Sequence, residues 1–156
     1  MYKRQLLRSS NNATGIFSKD NFAGGSSYKG YLFNRFDAGG GYGLETRNKT
    51  NSSGPSASAR WSSSNITINT GYIFNAHRTG RNCETFINGS LRASSTEPSP
   101  VDVTSNAQFT IAALNSFALG QFANLDILEI VIYNTALTTT DRQQVESYLN
   151  SKWALY

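Results

Sequence analysis

The sequence predicts an all-β protein of antiparallel strands that ends in a single α-helix. Short runs of β-branched and aromatic residues alternate with polar, glycine-containing turns along most of the chain, a pattern that is typical of strands joined by tight connections. One amphipathic stretch with helical spacing, residues 138–153, lies near the C-terminus. Only 15% of the 156 residues are charged and 12% are aromatic, a composition that disfavours a helical bundle.

The first five residues are set apart from the rest of the chain. Met-Tyr-Lys-Arg-Gln resembles the translated end of a transposase adapter used in sequencing libraries. We therefore expect one domain over residues 6–156, with natural N-terminal strands missing from it. Without Lys3 and Arg4, 12 basic residues oppose 10 acidic ones and the formal net charge falls from +4 to +2.

Charge and hydropathy exclude two classes of partner. Outside residues 1–5 the chain has no run of Lys or Arg and no basic helix, so we expect no nucleic-acid binding. The longest apolar run is far shorter than the roughly 20 residues that cross a bilayer, so we expect no membrane insertion. Cys83 is the single cysteine and forms no intramolecular disulfide, and we expect it to be a small buried residue near a strand.

The first half of the chain predicts a series of short strands. Residues 28–37 and 42–47 are separated by three consecutive glycines, and the period-two alternation of the second run predicts that the two form a hairpin. Residues 48–57 are polar and contain a Gly-Pro pair, so they predict a surface loop. Further strands are expected at residues 15–20, 59–61 and 65–69.

The strongest strand candidate lies in the middle of the chain. Successive side chains of a strand point to opposite faces. Tyr72, Phe74 and Ala76 then share one face, which we expect to join the core. Asn75 and His77 share the other face, which we expect to point outward. The strand is expected over residues 72–78.

The clearest local signal is a hairpin over residues 83–92. Two strand-like runs flank Asn88-Gly89. Both central residues of a type I′ turn need a positive φ, which Asn followed by Gly tolerates best, so a tight turn is expected here. Further along the chain, residues 109–114 and 126–134 predict two more strands.

The C-terminal helix has a defined start and an apolar stripe. Thr138 is expected to be its N-cap, and Asp141 three positions later completes a capping box. The stripe needs an apolar surface to cover it. Its members are Val145, Tyr148, Leu149 and Trp153.

The strand before this helix has two apolar faces. The face that we expect to join the main core comprises Leu128, Ile130 and Ile132. The face that we expect to lie under the helix comprises Ile127, Val131 and Tyr133.

The C-terminal third resembles a known family. The residues that are similar to the close of laminin-G-like, concanavalin A-like lectin/glucanase domains are 125–138, Asp141-Arg142, Val145-Glu146 and 148–153. The Asn88-Gly89 hairpin resembles an element of the same family, and the resemblance covers most of residues 16–153. It implies a jelly-roll sandwich of two antiparallel sheets, one of them concave. Members include glycan-binding modules, adhesion domains, parts of phage virions and glucanases, so the fold alone does not select a function.

The residues argue against glucanase catalysis. The glucanases of this superfamily carry a Glu-x-Asp-x-x-Glu strand in which one Glu is the nucleophile and the other the acid/base. Asn124 stands where the nucleophile belongs, and an amide forms no glycosyl ester. Asp126 and Glu129 differ by three positions, so on a flat strand they point to opposite faces. We expect no enzyme, and we expect Glu129 to be held by a backbone amide or by the helix region.

Calcium is the one metal that the sequence leaves open. Zinc needs several His or Cys ligands, and the chain has one of each, His77 and Cys83. Some laminin-G-like domains bind calcium in loops, so the resemblance makes the Asp20-Asn21 and Asp37 regions candidate ligands, although no EF-hand spacing is present. No other cofactor is expected.

Six side chains are the candidate glycan-binding residues. A sugar site needs aromatic faces that stack on C–H groups, and amide, imidazole or guanidinium groups that bind hydroxyls. Asn75 and His77 are the strongest candidates, because both are expected to point outward from a central strand. For each residue the alternative is an ordinary solvated strand face. The six are Tyr31, Arg35, Tyr42, Asn75, His77 and Arg78.

These observations predict a non-catalytic binding module that recognises carbohydrate or a cell or virion surface. The module is expected to be one domain of a larger extracellular or virion protein, with a glycan or surface protein and the other domains or subunits of that assembly as partners. Two alternatives stay open: a purely structural phage tail or capsid decoration domain, and a degenerate glucanase-like domain.

Overall fold

The computed structural model describes residues 2–7, 14–23, 27–35, 41–50, 56–62, 66–67, 69–100, 102–104, 106–113 and 122–156. Within these residues the chain forms ten strands and one helix. The elements are β1 (Tyr2–Leu7), β2 (Thr14–Ala23), β3 (Ser27–Arg35), β4 (Gly41–Thr50), β5 (Ser56–Ser62), β6 (Gly71–Thr79), β7 (Asn82–Ile87), β8 (Ser90–Thr96), β9 (Thr110–Ile111), β10 (Leu125–Val131) and α1 (Thr139–Trp153).

The described strands form two five-stranded antiparallel sheets. The strand order is β10-β1-β6-β7-β8 in the first sheet, called sheet A, and β5-β4-β3-β2-β9 in the second, called sheet B. The two sheets pack face to face, and α1 lies on the outer face of sheet A. The predicted all-β sandwich with one C-terminal helix is therefore confirmed.

The main core lies between the two sheets. Phe33 of β3 and Phe74 of β6 meet across it with their ring centroids 5.6 Å apart. The Thr85 hydroxyl of β7 donates a hydrogen bond of 2.7 Å to the Ala59 carbonyl of β5, so a satisfied buried polar contact also joins the layers. Cys83 is fully buried in this core, as predicted.

Both predicted hairpins are confirmed. β3 pairs with β4, and β7 is joined to β8 by Asn88 and Gly89, which have φ angles of 50° and 75°. Asn88 also ties the turn to β6, because its Oδ1 accepts a hydrogen bond of 2.9 Å from the Ile73 amide and its own amide donates one of 3.0 Å to the Ile73 carbonyl.

The loop predicted over residues 48–57 is wrong at both of its ends. β4 continues to Thr50 and β5 begins at Ser56, while residues 51–55 lie outside the described part of the chain. Polar residues form strand here because their backbone groups pair with neighbouring strands, a tertiary effect that overrides the weak β-propensity of Asn and Lys.

Two predicted strands are absent or shortened. Of residues 65–69, Ile66, Thr67 and Asn69 are described and none of them lies in a strand. Asn69 has a φ of 62°, which is incompatible with extended backbone. The strand predicted over residues 109–114 is reduced to β9, because Ala112 has a φ of 59°.

β10 ends at Val131, before the predicted end at residue 134, and carries a bulge. Lys3 and Gln5 of β1 pair with Ile130 and Ile127 of β10. One residue separates the two positions in β1, and two residues separate them in β10. An extra residue of this kind changes which side chains point to which face of the sheet.

The bulge explains why part of the predicted core face is wrong. Leu128, which was expected in the main core, lies at the bulge and is 39% exposed. Ile132, also expected there, follows the last residue of β10 and is 57% exposed, so its wrong assignment comes from the early end of the strand. Leu125, on the other side of the bulge, packs against the main core. Val131 packs under α1, as predicted.

The ends of α1 follow from capping. The Thr138 hydroxyl accepts a hydrogen bond of 3.2 Å from the Asp141 amide and donates one of 2.7 Å to the Asp141 carboxylate, so the predicted N-cap is confirmed. At the other end, Ala154 has a φ of 50° and its amide donates to the Asn150 carbonyl at 2.7 Å. The left-handed residue stops the helix.

α1 contacts sheet A through a small apolar cluster. Leu149 is fully buried against Ile73, and Val145 and Trp153 pack around them, as predicted. Tyr148 is 52% exposed, so its predicted place on the buried stripe is wrong.

A buried ion pair occupies the rest of the covered helix face. Arg142 Nη1 donates to both carboxylate oxygens of Glu146, at 2.9 and 2.8 Å. The Arg142 guanidinium carbon lies 4.0 Å from the centre of the Phe86 ring of β7. The pair therefore satisfies both charges where the stripe was expected to be apolar.

Two further observations concern the chain as a whole. Residues 2–5, which resemble an adapter sequence, belong to β1 and pair with both β6 and β10. Among the described residues, no helix combines the length and the apolar character that crossing a bilayer requires.

Candidate functional site

A cavity of about 460 Å³ lies at one end of sheet A, and we call it the sheet-end cavity. β1 runs between β6 and β10, and its Tyr2 is paired with Asn75 on one side and Val131 on the other. Beyond this point β6 continues to Thr79, and the chain after β10 continues through residues 132–137. The cavity lies between these two segments.

Residues of both sheets form the cavity wall. β6 contributes four consecutive residues, 75–78, and the connection between β10 and α1 contributes residues 132–137. The remaining lining residues are Phe17 and Tyr31 of sheet B, and Val103 and Phe109 of the segment before β9.

Asn75 and His77 lie on the predicted face of β6. Their side chains point to the same face of the strand as Ile73, which contacts α1. The side chains of Phe74 and Ala76 point to the opposite face and pack with the main core. This face was expected to point outward, but Asn75 is only 2% exposed and is therefore not solvated.

Two nitrogen atoms of this site have no partner among the described residues. Asn75 Nδ2 and His77 Nε2 are both buried and make no hydrogen bond within that part of the chain. A buried polar group without a partner costs roughly 1–3 kcal/mol, so natural proteins keep such groups where another molecule satisfies them. The two atoms therefore make the sheet-end cavity the candidate binding site among the described residues.

The other imidazole nitrogen of His77 is engaged. His77 Nδ1 lies 3.1 Å from Glu84 Oε2, and the imidazole meets the Phe86 ring edge-on at 6.5 Å. Glu84 was not among the candidate site residues. The turn at Gly80-Arg81 was the available signal, because a two-residue turn after Thr79 places His77 directly opposite Glu84.

Arg78 is held by a second unpredicted carboxylate. Its Nε and Nη2 donate to the two oxygens of Glu97 at 3.0 and 2.9 Å, and Glu97 is fully buried. These hydrogen bonds raise the pKa of Arg78 above its ordinary value, so the guanidinium stays charged. Glu97 follows the end of β8, and no local pattern in the sequence links it to β6.

Aromatic side chains line the sheet B side of the cavity. The Tyr31 ring meets Phe17 edge-on at 6.5 Å, and Phe109 stacks on Phe17 at 6.0 Å. Burial raises the pKa of Tyr31, so its phenol stays protonated and can donate or accept a hydrogen bond. Tyr133 is 40% exposed and stands on the opposite wall.

Four of the six candidate glycan-binding residues meet at this cavity: Tyr31, Asn75, His77 and Arg78. Arg35 and Tyr42 are opposite one another in the β3–β4 register, but their side chains lie outside the described part of the structure.

The candidate calcium ligands are only partly described. Asp20 and Asn21 lie in β2 and not in a loop, their side chains are outside the described part, and Asp37 is outside it entirely. Among the residues that are described, no group of three or more His, Cys, Asp or Glu could hold a metal ion.

A second, more open groove of about 620 Å³ lies between β10 and α1. Glu129 on its wall accepts hydrogen bonds from Trp153 Nε1 at 2.9 Å and from Lys152 Nζ at 3.1 Å, which lower the pKa of its carboxyl. The expected helix partner of Glu129 is thereby confirmed. The bulge lies between Asp126 and Glu129, so the flat-strand argument about their faces does not hold, and the case against catalysis rests on Asn124.

Comparison with known proteins identifies the fold. No protein-family model and no curated protein matches the chain. Among solved structures, the chain is similar to CBM40, a carbohydrate-binding module, of the Ruminococcus gnavus IT-sialidase bound to α2,3-sialyllactose, with a TM-score of 0.61, 13% identity, and coverage of 93% of this chain and 80% of that one. Two further structures of this module, one bound to α2,6-sialyllactose, give TM-scores of 0.59 and 0.58 at the same identity and coverage.

This likeness concerns the fold. The chain has the β-sandwich architecture of these modules, and the jelly-roll expectation drawn from the laminin-G-like resemblance is compatible with it. At 13% identity the ligand of a neighbour is not carried over by the fold alone.

Proposed function

We propose that the chain is a non-catalytic carbohydrate-binding module that holds a glycan in the sheet-end cavity. The observation that carries the proposal is the pair of buried nitrogen atoms, Asn75 Nδ2 and His77 Nε2, that no described residue contacts through a hydrogen bond. Both belong to residues that line a cavity with aromatic walls.

The composition of the cavity suits a sugar. Aromatic rings such as that of Tyr31 offer a face or edge to C–H groups, and the amide of Asn75 and the imidazole of His77 offer hydrogen bonds to hydroxyls. The volume of about 460 Å³ falls in the range of small-molecule sites, roughly 300–1,000 Å³.

The same geometry favours binding over catalysis. Glycosidases need two carboxyl groups placed on either side of the scissile bond. Of the carboxylates next to the cavity, Glu84 contacts His77 and Glu97 is held by Arg78. Both are engaged in fixing other side chains, so neither is placed as a nucleophile.

The fold neighbours supply the first ligands to test, because two of those structures are complexes with sialyllactose. We further propose that the module belongs to a larger extracellular or virion protein, in which it directs that protein to a glycan-bearing surface.

A glycan array followed by calorimetry tests the proposal. The affinity tag is placed after Tyr156, which does not line the sheet-end cavity. Asn75→Leu and His77→Phe keep the approximate side-chain size and remove the two polar nitrogens. Each is expected to weaken binding at least about tenfold, which corresponds to the loss of roughly 1.4 kcal/mol of hydrogen bonding.

Tyr148→Ala is the matched control, since Tyr148 is an exposed aromatic residue of the separate groove between β10 and α1. It is expected to leave glycan affinity unchanged, and circular dichroism confirms that each variant is folded. A wild-type protein that binds no glycan overturns the proposal. In that case incorporation into virus particles would support the structural alternative, and turnover of a β-glucan would support the degenerate glucanase.

A further inference from the structure

We infer that the sheet-end cavity selects a neutral sugar with two neighbouring hydroxyl groups, in preference to an acidic sugar. The inference rests on the proposed function and specifies its ligand class. It follows from which hydrogen-bonding roles the cavity offers and from the charges around it.

Glu84 sets the role of His77. An ionised carboxylate only accepts hydrogen bonds, so the contact of 3.1 Å between Glu84 Oε2 and His77 Nδ1 requires the proton of the neutral imidazole to be on Nδ1. Nε2 then carries a lone pair and acts as an acceptor. This buried acceptor needs a donor from the ligand.

Asn75 offers the opposite role. Its Nδ2 carries two hydrogens and meets no acceptor among the residues that the structure describes. Asn75 and His77 are two residues apart on one face of β6, roughly 7 Å along the strand, so one ligand can reach both. The residues of the cavity wall therefore include one donor and one acceptor, both buried, at neighbouring positions of one strand face.

A hydroxyl group fits both positions, and a carboxylate fits only one. A hydroxyl can accept from Asn75 Nδ2, and a second hydroxyl can donate to His77 Nε2. A carboxylate oxygen accepts only, so beside His77 Nε2 it would face a lone pair and leave that buried nitrogen unsatisfied.

The charges around the cavity act in the same direction. Glu84 and Glu97 each carry a negative charge, and Arg78 carries one positive charge that Glu97 binds through two hydrogen bonds. The other titratable residues on the cavity wall are His77, whose Nδ1 contacts Glu84, and the tyrosines Tyr31 of β3 and Tyr133 after β10. The two carboxylates and the guanidinium sum to a negative charge, which repels an anionic ligand.

The premise is tested by nitrogen NMR of the imidazole. His77 is the only histidine in the chain, so with a histidine-free tag its two ring nitrogens are observed without overlap. At mildly alkaline pH we expect the Nδ1–H tautomer in the wild type, and a shift toward the Nε2–H tautomer in Glu84→Leu. A wild-type Nε2–H tautomer overturns the inference, and this readout does not depend on any glycan.

The selectivity is tested by calorimetry with lactose, a panel of neutral methyl hexosides and their single-deoxy analogues, and both sialyllactoses. We expect at least one neutral sugar to bind about tenfold or more tightly than either sialyllactose, and its affinity to fall at least tenfold in His77→Phe or when one of its neighbouring hydroxyls is removed. Tyr148→Ala is expected to change neither value.

The outcomes separate the two claims. Tighter binding of a sialyllactose than of every neutral sugar, abolished by Asn75→Leu, overturns the inference and supports the proposed function. The absence of binding to every sugar overturns both.

Discussion

The side chains next to the sheet-end cavity are held by two carboxylates. Glu97 is fully buried and holds Arg78 through two hydrogen bonds, and the half-buried Glu84 holds His77. A buried charge such as that of Glu97 persists only when its partner is in place, because an isolated buried carboxylate is costly. The shape of the cavity wall at β6 thus depends on residues that themselves lie outside it.

Glu97→Gln is predicted to destabilise the protein by about 3 kcal/mol. The substitution removes the negative charge that faces the Arg78 guanidinium. The expected loss of stability is at the lower end of the range for breaking a buried ion pair, because the Arg78 side chain is 30% exposed and keeps some hydration. Urea unfolding followed by fluorescence measures the change.

Arg81→Gln is the control for this substitution, since Arg81 is exposed and its guanidinium donates a hydrogen bond of 3.1 Å to the Pro98 carbonyl. It is expected to cost less than about 0.5 kcal/mol. A double change of Arg78 to Met and Glu97 to Leu is expected to recover much of the loss, as apolar replacements of buried pairs do. Equal stabilities of Glu97→Gln and the wild type would contradict the assignment.

Strand alternation was enough to place Asn75 and His77 on the correct face of β6, since the pattern of Tyr72 and Phe74 identifies the core side. It did not reveal that Asn75 is buried, or that Glu97 binds Arg78. Those features depend on which distant segments pass over the end of the strand, and local periodicity contains no information about that.

Among the secondary-structure elements, α1 is the one whose bounds follow most directly from its own residues. Thr138 and Asp141 make both hydrogen bonds of the expected start. β10 is the opposite case, because its bulge arises from pairing with β1, more than 100 positions away in the chain. A flat strand that ends at residue 134 was assumed, so the assignment to the core was wrong for Leu128 at the bulge and for Ile132 beyond the end of β10.

Thr138→Ala is predicted to lower the free energy of unfolding by about 1 kcal/mol, because the Asp141 amide loses its capping oxygen. Thermal and urea unfolding measure the difference.

Thr139→Ala and Thr140→Ala are matched controls, since both threonines are exposed within the first turn of the helix. Alanine has the higher helix propensity there, so these two variants are expected to be neutral or slightly more stable than the wild type. If all three threonine substitutions had the same effect, the capping role of Thr138 would be ruled out.

The whole molecule has three layers, with sheet B, sheet A and α1 stacked in that order. The contact between α1 and sheet A is small, and Leu149 against Ile73 is its centre. The rest of the covered helix face is the Arg142–Glu146 pair, so this layer is held by few apolar side chains.

Leu149→Ala is predicted to cost about 2–5 kcal/mol, because it removes buried methyl groups and leaves a cavity under the helix. Leu91→Ala is the control, since Leu91 of β8 is 52% exposed. It is expected to cost less than about 0.5 kcal/mol. Similar losses in the two variants would show that α1 is not docked through Leu149.

The fold class could be predicted from the sequence, and the strand order could not. Hairpins such as β7–β8 are encoded by their own turn residues. The position of β1 between β6 and β10 depends on pairing between strands that are far apart in the chain. No local sequence pattern specifies which strand edges pair in this way.

The position of β1 has a consequence for the order of events during synthesis. Both of its neighbours lie later in the chain, and one of them, β10, ends at Val131. While the polypeptide is emerging from the ribosome, β1 has no partner until β6 has been translated, and its other edge stays unpaired until β10 leaves the exit tunnel. Stalled or prematurely terminated products would therefore expose an unpaired edge, which makes them natural substrates for chaperones.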